Sequence, residues 1–263
     1  MSIPAPQDKK DDKAMTVAGH LNELRSRLFW SVLVFVALSV VSFIFIQRFV
    51  DIALALSPEF DFVYLSPSEL VTSYMKLALV LGLVFSSPFI LWQFWAFVAP
   101  GLTREEGRSA LSAIVAGFVF FLIGAFFCFF VILPITLQFF YNFNGSLDIT
   151  ANISFNNYMS FILGMLVAFG VVFEMPVLCY LLARLGLVGP KVLVAGRKYA
   201  ILLIFILAAI ITPPDVVSQI MTAVPMIGLY ELSIFVSRAA YRKREAEEED
   251  DEDDSEDEAE ETE

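Results

Sequence analysis

Apolar residues fill long stretches of this chain almost without interruption, and the polar residues collect in short clusters between them. Neither the period-2 alternation of a half-buried strand nor the one-faced stripe of a soluble helix dominates; the pattern is that of helices apolar all round. A helix rises about 1.5 Å per residue and a bilayer core is about 30 Å thick, so about 20 such residues cross it. On that criterion, spans are predicted near residues 28–47, 71–97, 109–133 and 156–183.

The last apolar block, Tyr199 to Val236, is broken by Thr212-Pro213-Pro214-Asp215. Adjacent prolines and an aspartate cannot continue a lipid-facing helix, so the block reads as a helical hairpin. Its first arm, Tyr199 to Ile211, has 13 residues and reaches only about 20 Å. Such an arm is re-entrant or sits in a locally thinned bilayer, and thinning costs only fractions of a kcal/mol per Å. Two short spans are favoured, giving six in all. The expected fold is therefore an all-α polytopic membrane protein whose last two spans are short.

Basic residues give the orientation. With the N-terminus inside, 15 of the 17 lysines and arginines fall on inner segments, leaving Arg48 at the outer end of the first span and Lys76 within the second. The expected outer loop from Pro134 to Asn157 has no basic residue. This positive-inside bias predicts cytoplasmic termini. No internal repeat is visible, which weighs against an inverted-repeat transporter.

Composition agrees with a membrane protein: 58% hydrophobic, 27 phenylalanines, and a mean hydropathy of +0.73. The net charge of −12 changes meaning once located, because 15 of the 29 acidic residues lie in positions 245–263. That leaves 14 acidic residues against 17 basic ones, a balance of +3. Residues 245–263 are expected to be a disordered acidic tail, since they hold almost nothing to bury. Residues 1–19 are expected to be a flexible cytoplasmic N-terminus and 20–244 the membrane domain; no cleavable signal peptide is apparent. Cys128 and Cys179 are the only cysteines and both fall in apolar spans, so they read as small buried hydrophobes. With His20 as the single histidine, most zinc sites and Ser-His hydrolases are excluded. No Gly-rich phosphate loop is present, and no cofactor, metal or nucleic acid is expected.

Three places could carry chemistry. Glu174, in "FGVVFEMPV", is the only charged residue between Asp148 and Arg184. A carboxyl at that depth is expensive unless it faces protein or water, and Pro176 frees a carbonyl on the preceding turn. The segment "HLNELRSRL", His20 to Leu28, places Leu21, Leu24 and Leu28 on one stripe and pairs Glu23 with Arg27 at i, i+4. It is read as an amphipathic entry lying along the inner interface. The segment "WAFVAPGLTREEGR", Trp95 to Arg108, is a short inner turn with Glu105 and Glu106 among arginines. Acids on the inner face and one at depth suit a cationic peptide followed by an apolar segment, because guanidinium binds carboxylate bidentately.

These segments, with "LSPSE" at Leu65 to Glu69, "SSPFILWQFWAFVAPGLTREE", "RKYAILL", "ITPPDVVSQ" and "AVPMIGLYELSIF", resemble in order and spacing the TatC family, the core subunit of the twin-arginine protein translocase. The resemblance implies six helices in a concave, glove-like bundle in the bacterial cytoplasmic (inner) membrane, and no enzymatic activity. It implies recognition of twin-arginine signal peptides of folded cargo at Glu23 and Glu106, with Arg25, Phe97, Pro100 and Leu102 assisting. Glu174 would line an intramembrane pocket. Thr212, Pro213, Pro214, Asp215 and Gln219 would form the region where single-span TatA- and TatB-type partners dock, in a multi-copy complex driven by the proton-motive force. The competing class is a proton-coupled transporter using Glu174 as a relay; it lacks a second buried acid at comparable depth. An intramembrane enzyme lacks a nucleophile and base.

Overall fold

The computed structural model describes residues 17–57, 60–98, 106–144, 152–184 and 186–260, with the side chains of 17, 18, 20, 95, 98, 106–114, 144 and 247–260 outside that description. Among the described residues, six helical stretches are long and apolar enough to cross a membrane: Leu21–Ile44, Pro67–Phe94, Val115–Phe143, Phe155–Arg184, Pro190–Ile211 and Val216–Ala246. The number agrees with the sequence reading. Several boundaries do not.

Helix α1, Val17–Ile44, runs 28 residues without a break, so "HLNELRSRL" is its first part rather than a separate helix lying on the interface. No glycine or proline separates the two parts, and nothing stops propagation of the helix. A short α2, Ile46–Leu54, follows and buries Ile46, Val50 and Ala53 at helical spacing. Helix α3, Pro67–Val98, passes through Pro88. That proline cannot donate to the Val84 carbonyl, and the Ser87 hydroxyl donates to it instead at 2.7 Å.

The third span exceeds its expected end. Helix α4, Glu106–Phe127, passes through a π-helical turn, Cys128–Ile132, directly into α5, Leu133–Asn144. The widened turn makes room for Pro134, whose ring would clash with the carbonyl four residues back in a regular helix. The expected outer loop from Pro134 is therefore helical for its first part. Strand β1, Asp61–Val63, pairs in parallel with β2, Asn152–Ser154, tying the segment before α3 to the one after α5, a contact the sequence did not suggest.

Helix α6, Phe155–Val172, is the center of the core, burying Met159, Ile162, Met165 and Phe169 completely or nearly so. It is followed by α7, Met175–Arg184. Helix α8, Pro190–Ile211, has 22 residues, longer than the 13-residue apolar arm, because it starts ahead of Lys191, Arg197 and Lys198. The uninterrupted apolar part is still Tyr199 to Ile211, and the charged first turns complete the length of about 33 Å. Helix α9, Val216–Glu260, continues through the acidic tail instead of ending near Arg244. Glutamate and alanine are good helix formers, and the basic Lys243 and Arg244 stand four residues before Glu247 and Glu248.

The helices pack chiefly as α1 on α3, α7 and α8 on α9, and α4 and α3 on α6. Apolar side chains such as Val40, Ile44, Leu203 and Ile210 remain exposed, as expected where lipid is the solvent.

Candidate functional site

Glu174 lies at a break. Phe173 and Glu174 form a turn between α6 and α7, with the Glu174 amide donating to the Val171 carbonyl at 3.1 Å. Pro176, two residues on, has no amide hydrogen, so the α-helical ladder cannot close there; α7 restarts with Leu178 donating to the Glu174 carbonyl at 2.9 Å. The side chain projects toward α4 at Gly117: a Cβ on that residue would lie 2.9 Å from Glu174 Oε2 and 3.6 Å from Leu91 of α3. Glycine is what lets the carboxyl approach α4 so closely. Among the described residues, Glu174 Oε1 is buried with no hydrogen-bond partner. A buried acceptor without a donor is costly, which makes it a place for a donor to arrive.

A second carboxylate, that of Glu23, sits near the N-terminal end of α1. Arg27 donates to Glu23 Oε1 through Nε at 2.9 Å and Nη2 at 2.5 Å, and its Nη1 donates to Gln93 Oε1 of α3 at 3.2 Å. The i, i+4 pair read from the sequence is thus present and is extended to α3 by Gln93, which sequence reasoning missed. Glu23 Oε2 is buried and has no partner among the described residues. Gln93 precedes the end of α3 by five residues, and α4 begins at Glu106 after a short connection, so Glu23 and the start of α4 lie at the same end of the bundle. Arg25 is exposed and Phe97 half-buried. Pro100, Leu102 and the Glu106 side chain lie outside the described residues.

The polar atoms of the Thr212–Asp215 turn are largely committed within the hairpin. Asp215 caps α9: its Oδ1 accepts from the Ser218 amide at 2.7 Å and its Oδ2 from the Ser218 hydroxyl. Buried Thr212 bonds back to the Ala208 carbonyl at 2.9 Å, and Gln219 Nε2 donates to the Phe205 carbonyl of α8 at 3.0 Å. Pro213 and Pro214 are exposed. This turn therefore presents an apolar tip, with its polar side chains turned back into the hairpin. The sequence also missed a polar cluster in which Lys76 of α3 meets Asn156 and Ser160 of α6; the only signal was a lysine inside a span.

Six apolar helices define a multi-pass helical membrane protein, and two of its glutamates, Glu23 and Glu174, each bury one carboxylate oxygen with no hydrogen-bond partner among the described residues. The family sequence model described as Sec-independent protein translocase protein (TatC) matches residues 19–225. The chain belongs to the TatC family, a translocase component rather than an enzyme family. It is 39% identical over 231 residues to the Sec-independent protein translocase protein TatC of Carboxydothermus hydrogenoformans, covering 87% of this chain and 95% of that one. It is 37% identical over 235 residues to the protein of that name from Aquifex aeolicus, covering 88% and 98%. A crystal structure described as the twin arginine translocase receptor TatC superposes with a TM-score of 0.78 at 38% identity, covering 84% of this chain and 99% of that one.

Proposed function

We propose that this chain is the receptor of a twin-arginine translocase, capturing the signal peptides of folded cargo on the cytoplasmic side of a bacterial inner membrane. The observation that carries the reading is the half-occupied Glu23 carboxylate. One oxygen is held by Arg27, and the other has no partner among the described residues. An incoming guanidinium supplies the missing donors, and Glu106, at the start of α4, contributes a second acid at the same end. Arg25, Phe97, Pro100 and Leu102 complete this recognition face. The apolar part of the signal peptide then enters the membrane, where Glu174 accepts a polar contact from it or from a partner helix. TatA- and TatB-type single-span proteins dock along the last hairpin, at Thr212, Pro213, Pro214, Asp215 and Gln219, within a multi-copy complex. The likeness to the TatC family points to the proton-motive force as the source of energy. Lysine and arginine placement puts both termini in the cytoplasm.

The test is photo-crosslinking of a twin-arginine signal peptide to wild type, Glu23→Lys and Glu106→Lys in membranes. Each reversal is expected to lower the yield at least about tenfold, the loss of one charge-assisted pair. Equal yields would remove the recognition role.

A further inference from the structure

A cleft of about 640 Å³ opens between α3, α6 and α8. Its walls are apolar, formed by Leu79, Leu163, Val167, Val171 and Leu207 among others, except at one end, where Lys76 and Ser160 line it. Lys76 Nζ donates to Asn156 Oδ1 at 3.0 Å and to Ser160 Oγ at 2.9 Å. Both acceptors are neutral, so among the described residues the ammonium has no acidic partner, and one of its three hydrogens is unassigned.

The depth of this amine is set by α6. Asn156 and Ser160 belong to its first two turns, so the charge sits at the level where α6 enters the membrane, although Lys76 itself is well inside α3. From there the lining residues of α6 follow one face, from Ser160 to Val172. That face is about 18 Å long, close to the depth of a single leaflet, about half of the ~30 Å hydrocarbon core. In its middle stands Gly164, which weakens a helix interior and which this chain's own packing does not require: a Cβ there would meet only Ile211 Cγ2 at 3.8 Å, an ordinary contact. The missing side chain leaves the cleft deeper.

We infer that this cleft binds an anionic phospholipid, with the headgroup phosphate on Lys76 and an acyl chain lying along α6 over Gly164. The combination of one cation at interface depth with an otherwise apolar groove complements an amphiphile charged at one end only. A transmembrane helix fits less well, because a spanning helix needs a face about 30 Å long and this groove runs about 18 Å with its one polar group at a single end. The site belongs to the leaflet at the N-terminal end of α6, the outer one in the orientation proposed above. It needs only the fold, so the receptor reading and this one stand or fall separately.

The full chain, released from nanodiscs of equal phosphatidylglycerol and phosphatidylcholine and examined by native mass spectrometry, tests it. Wild type is expected to keep one phosphatidylglycerol with about fivefold preference, the factor one lysine near an anionic head contributes. Lys76→Gln, which can still bond Asn156, is expected to retain the two lipids equally. Gly164→Leu is expected to retain neither, its side chain occupying the acyl path while the amine stays. Thermal unfolding in the same detergent identifies any variant that fails to fold, and the other then decides. Equal retention of both lipids by wild type, or an unchanged preference in Lys76→Gln, overturns the proposal. So does a photo-crosslinker at Val167 that captures protein and no lipid in whole membranes.

Discussion

Glu174 Oε1 and Glu23 Oε2 are both buried acceptors lacking a donor among the described residues, and both are candidates for ligand contact. Fold stability alone would remove such groups, since an unsatisfied buried polar atom costs about 1–3 kcal/mol. Glu174→Leu is accordingly expected to raise the thermal unfolding midpoint in detergent while slowing export of a folded reporter. A variant that is neither more stable nor slower would show that the carboxyl is already satisfied in the membrane and idle in transport. Gly117→Ala tests the same pocket without touching the acid: its methyl must push the Glu174 carboxyl, now 2.9 Å from that Cβ position, and export should fall in parallel. At this scale the sequence was informative because one carboxylate in an apolar run is conspicuous. It said nothing of Gly117, since a glycine in a helix does not announce what approaches it from another.

Among elements, prolines decided more than hydropathy did. Pro176 coincides with a break, Pro88 is carried by the Ser87 hydroxyl, and Pro134 follows a π-helical turn, so the same residue has three local outcomes. The neighbouring donors and the packing around each proline set the outcome, and these are tertiary facts. The hairpin gives a measurable case. Asp215→Ala removes the cap on α9 and should destabilise the protein by about 1 kcal/mol, read as an earlier unfolding transition. Gln219→Leu should separate α8 from α9 by removing its bond to the Phe205 carbonyl, and protease sensitivity at the turn should rise. Unaltered proteolysis would mean that apolar packing alone holds the pair.

For the whole molecule, orientation is the property most open to a direct check. In a background with Cys128 and Cys179 replaced by serine, Leu65→Cys, 79% exposed, should react with a membrane-impermeant maleimide added outside intact cells. Leu187→Cys, 69% exposed, should react only after permeabilisation. The reverse pattern would invert the topology and, with it, the side on which Glu23 meets cargo.

The six spans, the all-helical class and the isolation of Glu174 were legible in the chain itself, because hydrocarbon demands about 20 apolar residues per crossing and penalises a buried charge wherever it stands. What only the tertiary structure decided is which groups meet: Gln93 with Arg27, Lys76 with Asn156 and Ser160, Gly117 with Glu174, and β1 with β2. Lipid-facing helices are alike in composition on every side. The burial pattern therefore fixes that they cross the membrane but carries little information about which faces touch, and those contacts come from close packing and hydrogen bonding between helices distant in sequence.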